Sequence, residues 1–464
     1  MWSLDEIDVI VIGAGPAGES AAARCADGGL SVALVEQRLV GGECLYYGCI
    51  PSKALIRPGD VLAAARRVPG AAQALTGRLD AREAFARRDE LVGEWDDAAQ
   101  LPAFEEKGVL FVRGPGRIAD DRVVDVSTSD GGTRRLTARR AVVLATGTSP
   151  AIPPIDGLRR GQVWDNQDAT AVKELPERLL VIGGGFIGAE MTQAFRRLGC
   201  TQVTVVEEAE RLLVAEEPFA GEQVREAFEA EGVDVVTGVR VTAVEQRDTD
   251  GPLTATLGDG RRVTADEILV AVGRRAETEG LGLEAIGLTP GGFVEVDGWM
   301  RATGVPGGWL YAVGDCNGRA LLTHMGKYQG RLAADVIMGK DVPESTTVVP
   351  RVTFTDPQVC AVGLTERQAR ERGLPVRTVT TGTGDVDGAH VLGVGITGTC
   401  KLVVDDDRKV LVGATFVGPG MQELLHSATI AIVGELPLAT LWQAVPPFPT
   451  VSEVWLRLLE AYGL

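Results

Sequence analysis

Ile7-Asp8-Val9-Ile10-Val11-Ile12-Gly13-Ala14-Gly15-Pro16-Ala17-Gly18 decides the fold of this chain. The six residues to Ile12 read as a strand buried on both faces, as in a parallel sheet. The glycines then make a tight turn, and an Ala-rich helix follows. A second strand, Ser31–Val35, ends at Glu36, eighteen residues past Gly18. The glycines let a backbone approach a pyrophosphate, the helix N-terminus favours its charge, and the acid accepts from ribose hydroxyls. With strand, helix and acid in register, this is a dinucleotide-binding fingerprint.

The pattern occurs twice. Leu179–Ile182 reads as a strand, Gly183-Gly184-Gly185-Phe186-Ile187-Gly188 as its loop, and Ala189–Leu198 as a helix. Val203–Val206 is the next strand, and Glu207 ends it nineteen residues after Gly188. Two fingerprints imply two dinucleotides, the arrangement for passing hydride from a nicotinamide to a flavin. Between them, residues 60–107 are rich in Ala, Arg and Glu and predict helices. Residues 109–138 alternate with turn signals and predict a small β-meander. Ala141–Gly147 predicts a further buried strand ending at Thr146-Gly147, and the Pro-rich stretch 150–154 a crossing between domains.

At 464 residues the chain is too long for one core, and length predicts about three domains. A net charge of −18 argues against nucleic acid or anionic membrane as partners. The apolar run from Ile7 is too short to span a bilayer and leaves no basic, apolar leader before it. Seven cysteines, an odd number, point to a reducing compartment, so the expected location is cytoplasmic.

Gly41-Gly42-Glu43-Cys44-Leu45-Tyr46-Tyr47-Gly48-Cys49-Ile50-Pro51-Ser52-Lys53 lies just past the first fingerprint. Cys44 and Cys49 are expected to open a helix, where the dipole and free N–H groups stabilise a thiolate. Lys53 falls one helical turn after Cys49. This segment resembles the redox-active disulfide of the flavin-dependent pyridine nucleotide-disulfide oxidoreductases, the family of lipoamide dehydrogenase, glutathione reductase and mercuric reductase. The resemblance extends to Val270–Arg274, Leu310–Asp315, Phe354-Thr355-Asp356-Pro357 and the segment Pro446–Glu453.

The resemblance implies an α/β fold: two Rossmann-like domains, for FAD and NAD, plus a C-terminal α+β dimerisation domain. Their expected extents are 1–149 with 275–345 for FAD, 150–274 for NAD(P) and 346–464 for the homodimer interface. Cys49 would be the thiol beside the flavin, able to form a charge-transfer complex, and Cys44 the interchange thiol that attacks the substrate. Lys53 would pair with Glu190 near the flavin's reactive edge. Gly13, Gly15, Pro16, Ala17, Gly18, Glu36, Gly42, Lys53, Thr146, Gly147, Gly314 and Asp315 would hold FAD, with Asp315 on its ribityl chain. Gly183, Gly185, Phe186, Ile187, Gly188 and Glu207 would hold the nicotinamide nucleotide, with Phe186 as an aromatic gate and Gly273-Arg274 as the exit from that domain. An acid at Glu207, with Glu208 and Glu210 beyond it and only Arg211 nearby, predicts NADH over NADPH.

One position departs from the family. Its C-terminal motif reads His-x-His-Pro-Thr-x-x-Glu, the last His being the acid-base catalyst; here Phe448 stands at that position, with Glu453 retained. Of the three histidines, His324, His390 and His426, the last lies on the expected helix Met421–Val433. The 2-ketopropyl coenzyme M oxidoreductase/carboxylase also has Phe there, but carries His where Glu453 stands. Tyr46 and Tyr47 replace the Asn-Val of lipoamide dehydrogenase, either packing or supplying a hydroxyl. The chain ends without a Cys pair, which makes mercuric reductase and large thioredoxin reductase poor fits, and Glu207 disfavours an NADPH-linked glutathione reductase. The expected partner is a small-molecule disulfide or another electron acceptor. The alternatives are a diaphorase or quinone or metal reductase, a carboxylase-like enzyme, and a non-catalytic dimeric binding protein.

Overall fold

The strand expected at Ile7 runs Glu6–Ile12 and lies inside a seven-stranded sheet. This computed structural model describes residues 6–159, 161–246 and 251–464, which divide into two units. The first comprises the described residues to Pro51, with 88–151 and 273–345. Its sheet order is Leu110–Arg113, Val32–Glu36, Glu6–Ile12, Thr133–Leu144, Val123–Ser127, Gly116–Asp120. Leu310–Ala312 pairs in parallel with the end of Thr133–Leu144. Four parallel strands therefore deliver Gly13, Glu36, Thr146-Gly147 and Gly314-Asp315 at their carboxyl ends, where an open α/β sheet binds ligands.

The expected meander takes a different form. Leu110–Arg113 is a parallel edge strand on Val32–Glu36, and only Gly116–Asp120 and Val123–Ser127 form the antiparallel part. The separate strand expected at Ala141 is the second half of one twelve-residue strand, Thr133–Leu144. Its first half alternates because it pairs within the antiparallel portion, and its last four residues are all buried between parallel neighbours. The local shift from alternating to continuous apolar residues marks a change of surroundings along one strand.

Helix Pro16–Asp27 covers this sheet and packs on helix Thr323–Ile337. A methyl added at Gly330 would lie 2.3 Å from the Ala17 carbonyl oxygen, so the two helices meet backbone to backbone. Gln329 Oε1 accepts from Gly314 N at 2.8 Å and from Asn317 Nδ2 at 2.9 Å, fixing the turn that carries Asp315.

The second unit comprises 52–87 and the described residues of 152–272 and 346–464. It holds a second parallel sheet, ordered Asp234–Thr237, Gln202–Glu207, Arg178–Ile182, Glu267–Val270. An antiparallel sheet follows, formed by Val241–Gln246, Leu253–Leu257 and Arg262–Ala265. The C-terminal segment is α+β: a five-stranded antiparallel sheet with helices Met421–Val433 and Val454–Tyr462 packed on it through Leu425, Ala428, Leu458 and Leu459. The Ala/Arg/Glu-rich stretch contributes helices Cys49–Arg66 and Ala81–Leu91, with shorter turns between. No helix among the described residues is long and apolar enough to cross a membrane.

Candidate active site

The two glycine loops repeat one another nearly atom for atom. A methyl at Gly18 would lie 1.9 Å from the Gly13 carbonyl oxygen, and one at Gly188 would lie 1.9 Å from that of Gly183. Glu36 accepts from Ala14 N at 2.7 Å and from Arg38 N at 2.6 Å. Glu207 accepts from Gly184 N at 2.6 Å and from Ala209 N at 2.7 Å. Each carboxylate thus clamps its own loop with one oxygen and its own turn with the other. A carboxylate has about four lone-pair sites, so each retains capacity for ribose hydroxyls.

Not every residue assigned to these loops touches the cleft with its side chain. Ala17 is buried, and a methyl added at Gly314 would come within 2.9 Å of Ala17 Cβ. Its side chain is used in helix packing, and Ile187 likewise packs into the apolar core of the second unit. Phe186 begins helix Phe186–Leu198 and is exposed, free to lie over an occupant of the loop. Arg211 donates to the carbonyls of Val214 and Glu216, at 3.0 and 2.8 Å, and so is turned toward backbone.

The first unit carries polar groups that a bound ligand would satisfy. Thr146 Oγ1 is buried with no hydrogen-bond partner among the described residues, a condition that costs about 1–3 kcal/mol unless something else fills it. Across the crevice Asp315 accepts from Thr148 Oγ1 at 2.9 Å, and burial pushes its carboxyl upward. A partnerless hydroxyl, a buried acid and a cradle that a Cβ would fill suit the polar ribityl and pyrophosphate parts of FAD. The residues present fit the group.

The cysteine segment is tied directly to the first glycine loop. Gly41 N donates to the Ala14 carbonyl at 2.8 Å, and a methyl on Gly42 would lie 2.6 Å from Gly15 Cα. The expectation of one helix opened by both cysteines needs correction. Cys44 sits within a short helix, Gly42–Tyr46, and Cys49 alone starts helix Cys49–Arg66. The expectation of a lowered pKa fails for Cys44. Its hydrogen bond with Cys49, and then burial, push the Cys44 thiol well above the ordinary range.

Cys25, Cys200, Cys316, Cys360 and Cys400 are fully buried. Burial lifts the first three thiols to about 12 and Cys400 to about 11. They are inert packing residues. Cys49 Sγ lies 3.2 Å from Thr323 Oγ1, a contact no local pattern announced because 274 residues separate the two.

Tyr46 is 1% exposed, with its hydroxyl 3.4 Å from the Asp96 carbonyl and its own carbonyl accepting from Trp95 Nε1 at 3.2 Å. It is a packing residue, and burial raises its phenol to about 12. Tyr47 lies under the Arg38 guanidinium, 5.4 Å from ring centroid to Cζ.

In the second unit the expected pair is present. Lys53 Nζ meets Glu190 Oε2 at 2.6 Å, and Glu190 is buried, with its other oxygen accepting from Phe354 N at 3.0 Å. The Lys53 ammonium also sits 4.6 Å from the Phe354 ring centroid. In the first unit Arg274 bridges Glu43, Thr148 and Asp315, reaching Thr148 Oγ1 at 2.7 Å and pairing with Glu43. The neighbour of Cys44 is thereby fixed to the turn that carries Asp315.

The segment around Phe448 is apolar and open. Phe448 is 71% exposed and Val445 82%. Glu453 Oε2 accepts from Gly388 N at 3.4 Å, a backbone partner in place of an imidazole. His390 and His426 are exposed on their helices. Among the described residues no group of three or more His, Cys, Asp or Glu is placed to hold a metal ion.

Comparison with known proteins agrees with this geometry. The family model for pyridine nucleotide-disulphide oxidoreductases matches residues 7–330, and that for the family's dimerisation domain matches 349–458. A dihydrolipoyl dehydrogenase from Thermus scotoductus is 36% identical over 462 residues, covering 98% of this chain and 97% of the relative. A mercuric reductase from Staphylococcus aureus is 32% identical over 453 residues, covering 97% of this chain and 81% of the relative. Among solved structures, LpdA from Mycobacterium tuberculosis superposes with a TM-score of 0.87 at 26% identity, over 99% of this chain and 100% of that one.

Proposed function

The chain belongs to the pyridine nucleotide-disulphide oxidoreductase family, and from that membership we propose that it moves electrons from NADH, by way of FAD and the Cys44–Cys49 pair, to a small disulfide. Membership makes it an NAD(P)H-dependent flavoprotein disulfide oxidoreductase with a dimerisation domain. The observation that carries the finer reading is the seam between Gly41-Gly42 and Ala14-Gly15, which ties the cysteine segment to the loop suited to FAD.

When bound, FAD supplies a ring that accepts hydride and returns the electron pair to sulfur. The chain's own residues do the rest. The Cys44 proton passes across its hydrogen bond to the Cys49 thiolate, and the freed Cys44 sulfur attacks one sulfur of the outside disulfide. The sulfur released takes a proton from Cys49. Cys49 then attacks Cys44, closing the internal disulfide and freeing the second thiolate, which water protonates. Over a cycle, NADH, one proton and a disulfide become NAD⁺ and two thiols. The close pair thus carries its own proton in a chain with Phe448 at the position of the family's acid-base His.

NADH is the proposed donor because Glu207 faces the ribose position and Arg211 is engaged with backbone carbonyls. A homodimer in the cytoplasm is the proposed state. The mercuric reductase relative raises a soft metal ion as an alternative acceptor. Against it, the five remaining thiols among the described residues are buried and offer no second accessible pair to hand over such an ion.

The test is a set of NADH assays with disulfides, quinones and metal ions as acceptors. NADH should bleach the flavin, which a non-catalytic binding protein would not allow. Cys44→Ser should abolish disulfide reduction while leaving quinone reduction by the flavin. Unchanged disulfide turnover in Cys44→Ser would remove the proposed role of the pair.

A further inference from the structure

Thr323 is the first residue of helix Thr323–Ile337, and its hydroxyl lies 3.2 Å from Cys49 Sγ. We propose that Thr323 is a positioning residue for Cys49, its hydroxyl donating to that sulfur and holding it as the thiolate. This rests on the redox role proposed for the cysteine pair. The hydrogen-bond direction follows from charge: a thiolate can only accept, so only Thr323 can be the donor once Cys49 is ionised. A donor to the charged form favours that form.

The helix that carries Thr323 strengthens the effect. Its fifteen residues begin after Leu322, which caps no N–H with a side chain, and no acid occupies the first turn. The positive end of the helix is therefore not offset by its own sequence. Cys49 itself starts a second helix, Cys49–Arg66, which also lacks an acid in its first turn. Two helix N-termini bear on one sulfur.

The hydroxyl is also pre-positioned. Gln329, on the same helix, holds Gly314 N, and Gly330 is locked against the Ala17 carbonyl. Thr323 is in hydrogen-bonding reach of Cys44 as well, where it favours the ionised form. The hydroxyl can thus follow the negative charge as the proton moves between the two sulfurs. The ionisable groups around the pair are Cys44, Glu43 paired with Arg274, and His324, the exposed neighbour of Thr323. Lys53, paired with Glu190, follows four residues along the Cys49 helix. Of these only Cys44, replaced by Ser in the test below, is touched by a change at Thr323.

The experiment is the pH profile of Cys49 alkylation by iodoacetamide in the flavin-loaded Cys44→Ser protein, with Thr, Ser, Val or Ala at position 323. Thr323→Val and Thr323→Ala should move the midpoint upward by about one pH unit, slowing alkylation near neutrality about tenfold. Thr323→Ser should keep the parent profile, because it keeps the hydroxyl. If Val prevents flavin loading, the Ala and Ser pair carries the comparison. An unmoved midpoint in Ala, or an equal shift in Ser, would overturn the proposal. Bleaching and disulfide turnover of the otherwise unmodified protein report separately on the redox reading, so failure of one is distinguishable from failure of the other.

Discussion

Glu207 holds two backbone N–H groups and is the acid proposed to meet a ribose hydroxyl, so its removal has two consequences. Glu207→Ala should raise the KM for NADH, because hydrogen bonds to a charged group contribute about 1.5–3 kcal/mol each. It should raise the KM for NADPH less, because repulsion of a 2′-phosphate disappears with it. The NADH preference should shrink about tenfold, read as the ratio of flavin-reduction rates, and an unchanged ratio would defeat the assignment. On the proposal that Phe448 stands where the family's motif has its His, Phe448→His supplies an imidazole with Glu453 five residues on. General acid-base help is worth about 10²–10⁴-fold, but Glu453 leans on Gly388 N and the two prolines shape the loop. Disulfide turnover should rise by about tenfold or more, with flavin reduction by NADH unchanged. Glu19 supplies a pH test, because burial raises its carboxyl to about 7, opposed by Lys327 and aided by Glu36. Its folded-state pKa exceeds the unfolded value, so its contribution to stability is greatest in acid and falls as pH rises from about 4.5 to 7. Glu19→Gln should leave the melting temperature unchanged at pH 4 and raise it at pH 8.

The duplicated loops make a test at the level of elements, since the same 1.9 Å obstruction would follow from a methyl at Gly18 or at Gly188. Gly18→Ala should yield protein without flavin. Gly188→Ala should keep its flavin yet lose NADH reduction, as read by the visible spectrum before and after NADH. The loops were legible in the sequence because everything they need is local: a strand, three glycines, a helix and an acid within about thirty residues. Glu36 and Glu207 end their strands as expected for that reason. The two halves of Thr133–Leu144 were misread as separate elements, because a single strand changes from one covered face to two along its length. The short helix that holds Cys44 was also missed, since five residues carry little periodicity. Lys53 and Glu190, 137 residues apart, were paired only through resemblance. Thr323 had no such guide, and nothing in its neighbours distinguishes a helix-opening threonine that meets a sulfur from one that meets water.

The whole molecule leaves apolar surface in its C-terminal segment that a lone chain has no use for. Val391, Val394, Val445 and Phe448 are each between 68% and 82% exposed, and exposed apolar side chains gathered in one segment are what a protein interface covers. The purified protein should behave as a dimer in light scattering at micromolar concentration, and Val445→Asp should shift it toward monomer without loss of flavin. The first unit is also discontinuous along the chain, and that bears on how the protein is made. Thr148 and the Asp315 it bonds to stand 167 residues apart, and the strand Leu310–Ala312 that delivers Asp315 is the last to join the sheet. At synthesis rates of about 5–20 residues per second, roughly ten to thirty seconds separate the two on the ribosome. Throughout that interval the nascent chain has a complete glycine loop and lacks Asp315, the acid proposed for the ribityl chain. Flavin capture is therefore expected to be a late event, because the flank of Thr133–Leu144 stays unpaired until Leu310–Ala312 emerges.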